Sequence, residues 1–84
     1  MKYSEVYALR IIQLCKKHGI TINKLATLSG LKQSTVDNII RGKSKNPKAR
    51  TLHRIAVTFN MTLSEFLDFP ELNEYSIEDE EDLD

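Results

Sequence analysis

Apolar positions recur along this chain at helical spacing and never in strand-like alternation. Tyr7, Ala8, Ile11, Ile12, Leu14 and Cys15 fall on one broad arc, opposite Gln13, Lys16 and Lys17, and Gly19 follows as a stop. The pattern predicts a first amphipathic helix from Tyr3 to His18. Val6 and Leu9 lie off its arc, as candidates for contact with the tail or a second subunit. Thr21 is placed to N-cap a short second helix carrying Leu25, Ala26 and Leu28, which ends at Gly30, the residue type best able to take positive φ. In a third helix, from about Gln33 to Arg41, Val36, Ile39 and Ile40 turn inward while Ser34, Asp37, Asn38 and Arg41 turn outward. Gly42 ends it. A turn-rich stretch, Gly42 to Lys48, leads to a fourth helix with Leu52, Ile55, Ala56 and Phe59 on its core face. Thr62 and Glu65 have capping-box spacing and open a fifth helix holding Leu63, Phe66 and Leu67, with Pro70 as its stop. The expected fold is all-α, one five-helix domain over residues 1–69.

Charge divides the chain differently. All twelve Lys and Arg lie between Lys2 and Arg54, and ten of the twelve Asp and Glu lie between Glu65 and Asp84, so a net charge of zero hides a basic body and an acidic end. A compact basic body points to a polyanionic partner. After Pro70 come eight acids in fourteen residues, with only Leu72, Tyr75, Ile77 and Leu83 to bury. That composition predicts an acidic tail, 70–84, disordered or loosely docked, with a protein partner as one possible role.

Chemistry is scarce. A chain of 84 residues has little room for a buried multi-part active site, and no Ser-His-acid arrangement, Cys-His pair or Gly-rich phosphate loop is present. No enzyme is expected. His18 and His53 fall on separate helices without a Cys or carboxylate at ligand spacing, which predicts no metal and no cofactor. The single Cys15 reads as a small core residue. With no apolar run near 18 residues and no signal-peptide stretch, the expectation is a soluble, cytoplasmic protein without a membrane role.

Ala26, Gly30 four residues on and Val36 six further on form a specific constellation: a small residue for close helix approach, a turn glycine and a β-branched core residue. The stretch Ile22 to Arg41 thereby resembles the helix-turn-helix of the Cro and phage-repressor-like transcription regulators, the xenobiotic-response-element family. Similarity extends through Gly42 to Pro47, Thr51-Leu52 with Ile55-Ala56, and Leu63 to Leu67.

The resemblance implies a lambda-repressor-like domain whose third helix enters the major groove. Gln33, Ser34, Thr35 and Asn38 then occupy base-reading positions, and side-chain chemistry agrees, because Gln and Asn pair bidentately with adenine and a Thr methyl meets that of thymine. Lys43 and Lys45, with the amides opening the second helix, match phosphate contacts, and Lys32 and Lys48 join them as phosphate ligands. Three positions depart from the family pattern. Ile22 stands where a phosphate-binding Gln is common and is assigned to the core. Lys32 replaces a capping Ser or Thr. Ile40 replaces an acid that often pairs with the residue at Arg10, leaving Arg10 to Asp37, Glu5 or solvent. Asp37 is assigned either to cytosine or to compensation of the helix dipole.

The expected function is sequence-specific binding of a double-stranded DNA operator by a transcriptional repressor. A homodimer on a two-fold site is expected, with Met61, Phe66 and Phe69 as apolar residues beyond the core stripe. A protein-interaction module, or the antitoxin of a toxin-antitoxin pair, is the alternative on the same fold.

Overall fold

Each helix boundary follows from a local backbone requirement. In the computed structural model, which describes residues 1–80, helix α1 spans Tyr3–His18 and stops at Gly19, whose φ of 66° lets its amide reach the carbonyls at the helix end. Helix α2, Ile22–Ser29, opens on Thr21, whose Oγ1 accepts from the Lys24 amide at 3.0 Å, and closes on Gly30 at φ 70°. Helix α3, Gln33–Ile40, ends with Arg41 in the capping position. Helix α4 is Ala49–Thr58, and α5, Leu63–Leu67, begins with the complete Thr62–Glu65 capping box.

Pro70 does not simply stop the fifth helix. It begins another, α6, Pro70–Asn73, because a proline has no amide to leave unpaired in a first turn and its φ is already helical. A single 3-10 turn, Ile77–Asp79, follows. Leu72 packs against the core and the Tyr75 ring meets Tyr3 edge-on at 5.1 Å, so the first turns of the acidic stretch lie against the body. Glu81, Asp82, Leu83 and Asp84 of the expected tail lie outside the described residues.

The core gathers Ile11, Leu14, Cys15, Leu25, Ala26, Val36, Ile39, Leu52, Ile55, Ala56 and Phe66. Burial pushes the Cys15 thiol above its ordinary value, as suits an inert core side chain. Three expectations give way here. Val6, expected off the apolar arc as a contact for the tail or a second subunit, is completely buried, and α1 also packs against α6 at the start of the acidic stretch. Leu28, assigned to the inner face of α2, is 54% exposed, and Ser29 is buried in its stead with its hydroxyl donating to the Ala26 carbonyl. Phe66 and Phe69 are buried within the single chain and offer no dimer surface, while Met61 is half-buried.

Arg10 explains much of the last point. Its Nε donates to the Phe66 carbonyl at 2.8 Å and its Nη2 to the Glu65 carbonyl at 2.9 Å, which satisfies acceptors at the end of α5. The guanidinium also lies 5.0 Å from the Phe69 ring centroid. Asp37, Glu5 and bulk water are therefore not its main partners. Helix α5 is too short to end without help, and a cation is the ligand its carbonyls favour.

Replacing Arg10 with Ala should cost about 2 to 4 kcal/mol in urea unfolding, from two charge-assisted hydrogen bonds and ring contact. A loss below about 0.5 kcal/mol would show that the cap contributes nothing. The capping box carries a pH signature: bonds from the Thr62 amide and hydroxyl hold the Glu65 carboxyl below its usual value. Its stabilisation is complete above the unfolded carboxylate pKa and is lost as pH falls through the lower folded value. Glu65→Gln should thus shallow the acid side of a melting-temperature profile and leave its neutral plateau nearly flat.

Candidate nucleic-acid interface

Helix α3 has one face in the core and one in water. Val36 and Ile39 are at most 2% exposed, which fixes the rotation of the helix and turns Gln33, Ser34 and Asn38 outward, with Thr35 half-exposed beside them. Its start carries no side-chain cap, since Lys32 makes no such bond, and no acid occupies the first turn. Asp37 is the fifth residue of the helix, beyond the reach of dipole compensation, and instead accepts from Gln33 Nε2 at 3.0 Å.

The loop that follows is tied to α3 by a Schellman closure. Gly42, at φ 72°, donates to the Ile39 carbonyl at 3.1 Å, and the Lys43 amide donates to the Asn38 carbonyl at 2.9 Å. The Ser44 amide reaches the same Asn38 oxygen at 3.2 Å. Lys43 is consequently held at a fixed offset from Asn38. Thr35, Asn38, Lys43 and Lys48 line one shallow concavity of about 430 Å³, joined by Asn46 and Thr51.

Of the predicted contact residues, those four share a surface, while Gln33, Ser34 and Lys32 sit exposed at the other end of α3 and Lys45 is exposed in the loop. Ala26 and Val36 are buried and Gly30 takes positive φ, as their places in the motif require. Ile22 packs partly against the core. Asn46 and Thr51 are the additions that sequence reading missed. Thr51 had a usable signal, since Thr51-Leu52 belongs to the stretch that is similar to the family, and it lies in the first turn of α4, where Lys48 supplies no side-chain cap.

Among the described residues no group of three His, Cys, Asp or Glu side chains is placed to hold a metal, and no helix is long and apolar enough to cross a membrane. The model of the Cro/C1-type helix-turn-helix DNA-binding domain matches residues 10–71. The chain belongs to that family. Cro/C1-type domains act by binding DNA and not by catalysis. Over 60 residues the chain is 38% identical to the HTH-type transcriptional regulator SlrR of Bacillus subtilis, a match covering 70% of this chain and 40% of that protein. The chain thus corresponds to less than half of SlrR. The crystal structure of the prophage Lp1 protein 11 superposes with a TM-score of 0.79 at 37% identity, covering 89% of this chain and all of the other. Among the described residues every regular element is helical, and the Cro/C1-type fold read from the sequence is the fold they adopt.

Within this Cro/C1-type domain, Gly42 is the joint between helix and basic loop. Gly42→Ala should lose about 1 to 2 kcal/mol of stability through the left-handed backbone alone, since a Cβ there has room, its nearest atom being Ser4 Oγ at 3.5 Å. Amide exchange should speed at Lys43 and Ser44 more than in α1. Equal acceleration throughout would show that the joint is not a local device.

Proposed function

We propose that the chain is a sequence-specific double-stranded DNA-binding regulator of transcription, a cytoplasmic repressor that occupies its operator as a homodimer. Helix α3 lies in the major groove, with Gln33, Ser34, Thr35 and Asn38 toward base edges and Lys32, Lys43, Lys45 and Lys48 toward phosphates. The observation that carries this reading is the shared concavity of Thr35, Asn38, Lys43 and Lys48, which sets polar readers beside cations within one Cro/C1-type domain. Similarity to a protein described as a transcriptional regulator supports the regulatory role. Repression follows from occupancy, because a bound promoter excludes polymerase. Two copies are required because an eight-residue α3 touches only a few base pairs. The acidic residues beyond the docked Tyr75 are offered to a protein partner.

Selection from a random duplex library at two salt concentrations tests the whole reading. An enriched palindrome supports it, whereas no retained DNA at low salt favours the interaction module. On the selected site, Asn38→Ala should cost about 1 to 3 kcal/mol and relax preference at one base pair. Lys43→Ala should weaken all sequences alike and flatten the salt slope by about one. Inserting five base pairs between half-sites should abolish tight binding by turning them to opposite faces. Undiminished affinity for that spacer variant would argue against the dimer.

A further inference from the structure

Gln33 and Asp37 stand one helical turn apart on α3, joined by the 3.0 Å bond from Gln33 Nε2 to Asp37 Oδ1. A carboxylate only accepts, so the carboxamide has one favourable orientation: nitrogen toward Asp37, oxygen away from it. Flipped, the amide would set its carbonyl oxygen against an anionic one. Asp37 is half-buried and Gln33 is exposed, so the brace is the better anchored of the two. The Asp37 carbonyl also accepts from the Arg41 amide at 2.9 Å, which holds its backbone in the helix.

We propose that Asp37 is a positioning residue that presents Gln33 for adenine and against guanine, an inference that rests on the DNA reading proposed above. Adenine shows the major groove an acceptor, N7, and a donor, the N6 amine. The braced Gln33 offers its Oε1 to the amine and its second N–H to N7. Guanine shows two acceptors, N7 and O6. An unbraced carboxamide can swing both N–H groups toward them, but the braced one has a single N–H left and turns its oxygen to an acceptor. The neighbouring carboxylate adds repulsion toward the same guanine edge. Discrimination therefore comes from removing a donor that guanine needs.

The test measures equilibrium binding of the full chain to duplexes carrying the selected site, with each base in turn at the pair Gln33 reads. Asp37→Ala should lower the adenine-over-guanine ratio about tenfold, much as Gln33→Ala does, and the double variant should lower it no further. Asp37→Asn, whose carboxamide oxygen still accepts from Gln33, should keep the ratio within about twofold of the wild type. A ratio between two duplexes cancels any loss of folded protein. An unchanged ratio in Asp37→Ala overturns the proposal. So does a relaxed preference at a C·G pair with the adenine preference intact, which would make Asp37 a reader of cytosine in its own right. If the wild type prefers no base anywhere, the DNA reading falls and this inference with it; if only the Asp37 variants fail to differ, the DNA reading stands.

Discussion

An eight-residue helix does not hold itself together in water, and the outward face of α3 therefore depends on the burial of Val36 and Ile39 beneath it. Its start lacks both a side-chain cap and a compensating acid, so local terms contribute little. Full burial of two branched side chains contributes about 1.5 to 3 kcal/mol each and, being directional on a helix, fixes rotation as well as stability. Helices α1 and α2 form the seat, and Ala26 lets α2 lie close. Polar residues on the outer face are left with almost no duty in folding. Chemistry there is set by the partner and not by the core.

Local features were the legible part of the sequence. Thr21, the Thr62–Glu65 box and the glycines at 19, 30 and 42 each solve a backbone problem within a few residues, and the structure uses every one of them. The motif spacing also placed Gln33, Ser34, Thr35 and Asn38 on the open side of α3, because rotation follows from two buried positions. What escaped depends on contacts between distant segments. Pro70 both ends and begins helices, so α6 has no separate start signal, and the burial of Val6 does not follow from the period of α1 alone. Leu28 leaves its expected inner face for a similar reason: a side chain in the last turn of a two-turn helix is sorted by its neighbours, here α4, and not by period alone. Arg10 could not be assigned by charge at all. Its acceptors are main-chain oxygens that carry no sequence signature.

Main-chain acceptors alter the charge census. Twelve basic residues suggest twelve cations available to a polyanion, yet Arg10 is committed to α5 and Arg54 donates to the Ser29 carbonyl at 3.4 Å, closing the end of α2. Both act as fasteners between helices. Lys43 and Lys48 differ in kind, since they border a concavity that also holds polar side chains. The basic body is thus two populations, one holding the fold and one facing outward. The acidic stretch is handled by aromatic packing, with Tyr75 against Tyr3 and Tyr3 hydrogen-bonded to Tyr7 at 2.7 Å.

Arg10 and its acceptors are 55 and 56 residues apart in sequence, which has a consequence for biosynthesis. A ribosome adding about 5 to 20 residues per second needs roughly three to eleven seconds between making the guanidinium and making the carbonyls it will bind. The bonds that fasten α5 to α1 therefore cannot form before Glu65 and Phe66 are made.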